Sequence, residues 1–179
     1  MSPANYCAKS DLPDTQAAGG FAVAGSPSWT LADVNVKAED LTLTVQKNVC
    51  CGTKGAECPQ IVLLANGGKD PIWLPASDSR LQIGREAKDE AGVWRPIEFR
   101  VPSTCGNSRH KVALLPGRAW VWDVPTTTGP FTTECRYVLY GLAKPVTSKP
   151  FTANISVSMF QLPASWNGYT LGPDGTLGR

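Results

Sequence analysis

From Cys105 to Phe160 the chain alternates apolar and polar positions with a period of two, broken by Pro and Gly. In GPFTTECRYVLYG, Phe131, Thr133, Cys135, Tyr137 and Leu139 share one face, and Thr132, Glu134 and Arg136 share the other. In PFTANISVSMF, Phe151, Ala153, Ile155, Val157 and Met159 lie opposite Thr152, Asn154, Ser156 and Ser158. Successive side chains of a strand point to opposite faces, so this pattern predicts antiparallel strands half buried and half in water. Ahead of them, CGNSRHKVALLPGRAWVWDVP forms a further strand-like segment, with Arg118, Trp120, Trp122 and Val124 on one face.

Upstream, Leu41, Leu43 and Val45 alternate with Thr42, Thr44 and Gln46, predicting a strand over 40–49, and VNVKAE before it forms a short strand of its own. IVLLANGGKDPIWLP predicts an apolar strand, an Asn-Gly turn and a second strand around Ile72 to Leu74. Residues 78–88 and 93–101 predict a hairpin closed at Asp89-Glu90-Ala91-Gly92, with Val93, Arg95, Ile97, Phe99 and Val101 on one face. Pro96 has no N–H to give a ladder, which places that arm at a sheet edge or a bulge. No helical period of apolar positions is sustained over about ten residues.

Fifteen Pro and 17 Gly among 179 residues suit many short strands joined by tight turns, and the length fits one domain with generous ends. The net charge of +2, with no Lys/Arg cluster, makes no electrostatic case for nucleic acid or an anionic membrane. No apolar run reaches the roughly 20 residues of a membrane helix. The opening MSPANYCAKSDLPD has neither the basic nor the apolar region of a secretory signal. The even count of six Cys nevertheless favours an oxidising compartment: extracellular, periplasmic, or at a cell or particle surface.

The succession of NGGKDPIWLP, a long hairpin, LLPGRAW, GPFTTECRYVLYG and PFTANISVSMF resembles bacterial exported immunoglobulin-like domains of uncharacterised function, over roughly residues 40–160. That resemblance implies an immunoglobulin-like antiparallel β-sandwich and carries over no catalytic residue. The expected architecture is all-β, with about seven to nine strands and extended N- and C-terminal arms. Residues 1–28 form the first arm, 29–162 the sandwich and 163–179 the tail. As an arm poor in apolar residues, the segment 1–28 should be removable with little effect on melting and a loss of association.

Cys7, Cys50, Cys51, Cys58, Cys105 and Cys135 are disulfide candidates. The adjacent Cys50 and Cys51 pair elsewhere, because a bridge between neighbours strains the peptide. Cys135, on an apolar face, is placed to bridge to Cys105 or Cys58. The rival reading uses Cys50, Cys51, Cys58, Cys105 and His110 as zinc ligands, but C-C-x6-C followed by C-x4-H matches no common zinc spacing. The disulfide reading is preferred, and no cofactor is expected.

His110, the only histidine, would have to serve any Ser–His or Cys–His catalysis, with Cys105 the nearest thiol. No nucleophile-elbow, metalloprotease or phosphate-loop motif accompanies it, so a capping role at a strand entrance is favoured. Asp89 and Glu90 at a hairpin tip form a solvated turn rather than a glycosidase acid pair. Trp120 and Trp122 could make an exposed stacking row for a partner, although burial habits favour the core. Trp166 and Tyr169, among Gly and Pro, are the better candidates for contacting a protein partner. Asn154-Ile155-Ser156 matches a glycosylation acceptor but falls in mid-strand.

These features predict a non-enzymatic interaction or structural module, a subunit of a larger protein assembly. A stand-alone binding module for carbohydrate or a protein such as a protease is the alternative, and a Cys/His metal-binding protein the third.

Overall fold

The computed structural model describes residues 5–14, 25–47, 59–99, 108–161, 170–171 and 177–178. Within them the fold is all-β and antiparallel. The strands are β1 (Ser28–Thr30), β2 (Leu41–Lys47), β3 (Gln60–Asn66), β4 (Ile72–Ser77), β5 (Arg80–Leu81), β6 (Ile83–Lys88), β7 (Trp94–Pro96), β8 (Arg109–Leu114), β9 (Arg118–Val124), β10 (Phe131–Leu139), β11 (Val146–Thr147), β12 (Phe151–Ile155), β13 (Thr170–Leu171) and β14 (Leu177–Gly178).

One sheet runs β1-β9-β3-β2. Its register lines up Leu43, Leu64 and Trp120 in one cross-strand row and Val45, Val62 and Trp122 in the next. These rows come from the alternation of β2 and β9. β3 lies between them and is almost wholly buried on both faces, as its unbroken IVLLA run requires. The second group of strands comprises β5-β4-β8 and β11-β10-β6-β7, with β12 also paired to β10. Leu74, Leu81, Ile83, Val112, Leu114, Tyr137 and Leu139 from this group join Leu43, Val62, Leu64, Trp120 and Trp122 in one core. Each large side chain fully withdrawn there contributes roughly 1.5–3 kcal/mol.

The predicted Asn66-Gly67 turn does not close a hairpin, and the segment expected to form one strand through LLPGRAW divides at Pro116-Gly117: β3 and β4, and likewise β8 and β9, lie in different sheets. Asn66 explains both crossings. Its buried amide donates to the carbonyls of Asp70 and Leu114, each at 2.9 Å, and its own carbonyl accepts from Gly117 N at 2.8 Å. At Gly67 a side chain could not fit, since a Cβ would stand 1.9 Å from the Ala38 carbonyl oxygen.

The hairpin β6–β7 forms as expected, and Pro96 ends an edge strand. Its predicted face splits, however: Val93 and Arg95 remain exposed near the tip, whereas Ile97 and Phe99 are buried beyond Pro96, where the strand stops. The second half of PFTANISVSMF leaves the sheet as a 3-10 turn over Val157–Phe160, so Val157 is exposed rather than inward. VNVKAE is turn and coil that crosses from β1 toward β2, held by Leu31 N donating to Gly117 O and by Val36 N donating to Leu31 O.

Candidate interaction site

The segment 5–14 is part of the core, not an arm. Tyr6 and Ala8 have no exposed surface, while Cys7 between them is half exposed and Lys9 beyond them is exposed. Tyr6 meets the rings of Trp122 and Tyr137 edge-on, at centroid distances of 5.7 and 6.4 Å. Ala8 N donates to Ser79 O at 2.8 Å, and Leu81 N donates to Tyr6 O at 3.1 Å, so Cys7 bridges Arg80 in antiparallel fashion. On its other side Lys9 N donates to Ser26 O, and Ser26 N to Cys7 O, both at 3.0 Å. Gly25 permits this approach, because a Cβ there would fall 2.5 Å from the Ala8 carbonyl carbon.

From the opposite sheet, two indoles reach the same segment. Trp120 Nε1 donates to Lys9 O at 3.0 Å and Trp122 Nε1 to Cys7 O at 2.9 Å. Further along, side-chain oxygens take amides of β8 and of the residue after it: Ser10 from Ala113 N, Asp14 from Lys111 N and Asp11 from Leu115 N, at 2.8–3.0 Å. An unpaired strand edge is a template for other chains, and here the segment's own polar side chains occupy it. The result is a groove between sheets in which the chain's own segment is held by backbone bonds and two indole donors, with Tyr6 and Ala8 buried.

A second feature lies at the end of the core where Cys135, Arg85 and Glu98 gather. Arg85 Nη2 donates to Glu98 Oε1 at 2.9 Å, with side chains only 2% and 6% exposed. Burial opposes the Arg85 charge, yet Glu98 above all outweighs it, so the guanidinium is held charged more firmly than usual. Arg85 also lies 5.8 Å from the Tyr137 ring, whose hydroxyl donates to Gln60 Oε1 at 3.0 Å. Arg85 Nε and Glu98 Oε2 are buried with no hydrogen-bond partner among the described residues. Burial pushes the Cys135 thiol up to about 11, against the pull of Arg85, so this sulfur is protonated and unreactive at neutral pH.

The outer face of β6, β7 and β10 carries a polar lattice. Arg136 donates to Glu86 Oε2 through Nε and Nη2 at 2.8 and 2.7 Å, and Tyr140 donates to Glu86 Oε1 at 2.7 Å. The Arg136 guanidinium lies 4.2 Å from the Trp94 ring centroid, and Lys88 5.3 Å from it, which occupies this indole internally.

The residues nominated from sequence divide as follows. Trp120 and Trp122 are 0% and 5% exposed, so they are core donors and not a stacking row. Cys7 and Cys135 are free thiols. The partners expected for Cys135, Cys105 or Cys58, lie outside the described residues; Cys135 itself packs against Ala87, Ile97 and Ile155 in an apolar cluster. Cys50, Cys51, Cys58, Cys105, Trp166 and Tyr169 lie outside the described residues. His110 is half buried, with Nδ1 3.0 Å from Ser108 O and Nε2 3.4 Å from Ser79 Oγ, and so ties β8 to the turn before β5. Among the described residues no three His, Cys, Asp or Glu gather as a metal site. Asp89 organises the hairpin by accepting from Ala91 N and Val93 N, and pairs with Arg95.

Sequence reasoning missed Trp29 and Trp73, which are 49% and 41% exposed. Parity could have found Trp73, since it lies opposite Ile72 and Leu74 on β4. No helix among the described residues is long and apolar enough to cross a membrane. Comparison with family models, curated proteins and solved structures finds no match.

Proposed function

We propose that this chain is a non-enzymatic structural or interaction module, an immunoglobulin-like β-sandwich acting as a subunit of a protein assembly at a cell or particle surface. The observation that carries the reading is the groove filled by residues 5–14, a site built to hold an extended strand through backbone bonds and two indole donors. Such strand addition is a recurrent means of joining protein subunits. Three side chains of the kind that supplies chemistry serve as scaffolding, which supports the reading: His110 ties β8 to the turn before β5, Asp89 closes a hairpin and Cys135 is buried and protonated. Sedimentation of the purified chain across a hundredfold concentration range tests the reading. Species larger than one chain, growing with concentration, are expected, and a monomer throughout would overturn it.

A second reading, a stand-alone binding module for a glycan or a protein, draws on the outward indoles of Trp29 and Trp73. Quenching or a blue shift of Trp emission on adding a ligand, lost in Trp73→Ala, would favour it over the assembly.

A further inference from the structure

We infer that the groove also accepts residues 5–14 from a second copy of this chain, so that copies join by exchanging amino-terminal strands. The inference rests on the assembly reading and specifies its contact. The interactions described above seat the segment on residues 25–28, 78–81, 111–115, 120, 122 and 137, and none of these depends on which chain supplies it. A second copy carries the identical segment, so exchange creates no new contact and loses none; it is the low-cost route to association.

What separates the two arrangements is the connection. Residues 15–24, TQAAGGFAVA, join the segment to Gly25 and the seat that begins there. Ten residues reach at most about 35 Å, enough to cross to an adjoining molecule. Insertion within one chain is favoured by an effective concentration in the millimolar range for a short linker. Exchange therefore becomes competitive when copies are crowded to about that level, as in an assembly, or when the link is shortened. Asp11 strengthens the fit at the far end, where its carboxylate accepts from both Leu115 N and Ser28 Oγ.

Cys7 supplies the reporter. It opposes Arg80 between the Ala8–Ser79 and Tyr6–Leu81 bonds, a non-hydrogen-bonded pair in which Cα atoms approach to about 4.5 Å, within reach of a disulfide. Arg80 is exposed, so Arg80→Cys leaves the core intact. Full-length Arg80→Cys chains, one population of natural isotopes and one labelled with 15N, are mixed at high concentration, annealed below melting and oxidised with oxidised glutathione. Mass spectrometry then reads the linked peptides containing residues 7 and 80. Mixed-isotope pairs are expected, approaching about half of all links for random exchange between equal populations. Deleting residues 16–21 in the same chain should raise the mixed fraction and shift the species to dimers at least tenfold more readily. Links of a single isotope under both conditions would overturn exchange, and larger species seen by sedimentation in that case would leave the assembly reading standing. Absence of any link between residues 7 and 80 would overturn the inference too, since the segment would not lie in the groove.

Discussion

The indole N–H of Trp122 donates to the carbonyl of Cys7 at 2.9 Å, across 115 residues of sequence. That bond, with Trp120 to Lys9, joins the first residues of the chain to the middle of the opposite sheet. Removing residue 6's ring tests the relationship directly. Tyr6→Ala should cost about 3–5 kcal/mol in urea unfolding followed by Trp emission, because a fully buried aromatic leaves a cavity. Trp122→Phe should cost about 2 kcal/mol, from a lost neutral bond and a smaller ring. A Tyr6→Ala protein as stable as the parent would return residues 1–28 to the status of an arm.

Arg85 and Glu98 share one buried contact, so breaking it from one side strands a charge. Glu98→Gln is expected to destabilise by about 3 kcal/mol or more. The double variant Arg85→Met with Glu98→Leu should recover most of that loss, since apolar side chains of similar volume are tolerated in such places. A double-mutant cycle from denaturant midpoints measures the coupling. A double variant that loses the sum of the two single losses would show that the pair does not act as a unit.

Cys135 and pH are linked through burial. Its folded pKa lies above the unfolded value, so the stability it contributes is complete below about pH 8.5 and falls as pH rises toward about 11. Burial also raises Tyr137, which adds to the alkaline loss at still higher pH. Cys135→Val should flatten the decline between pH 8.5 and 11, recovering on the order of 2 kcal/mol of pH-dependent change. In native protein at pH 8, iodoacetamide should modify the half-exposed Cys7 well before Cys135. Equal rates would contradict the burial.

Asp89 behaves in the opposite sense. The Arg95 hydrogen bond, then the Val93 and Ala91 amides, hold its carboxyl below the ordinary carboxylate range. Its contribution to the hairpin is present above about pH 4 and is lost as pH falls through the lower folded value. The amide shifts of Ala91 and Val93 should therefore titrate below about 3.9 in an NMR series, and Asp89→Asn should abolish that titration. Titration at or above 3.9 would refute the arrangement.

Much of the local structure was legible. The faces of β2 and β10, the hairpin at Asp89 and the edge position of Pro96 all followed from parity and turn chemistry. The burial of Cys135 was legible too, although parity gives a side and never a neighbour. The segment 5–14 misled because only Tyr6 and Ala8 among its residues are fully buried. Its binding lies in backbone groups and in Ser10, Asp11 and Asp14, which read as solvent-facing. Asn66-Gly67 looked like a hairpin turn, yet the Asn66 side chain directs the chain across to the other sheet.

By itself the sequence determined that this protein is built of short antiparallel strands, and which face of several of them meets the core. Side-chain parity is local, so neighbouring residues suffice to express it. Tertiary structure alone decided that β3 and β4, and β8 and β9, separate into different sheets, and that residues 5–14 fill the groove between them. Backbone N–H and C=O groups are the same at every residue, so their pairing is selected only when distant side chains such as Trp120, Trp122 and Asn66 bring particular edges together.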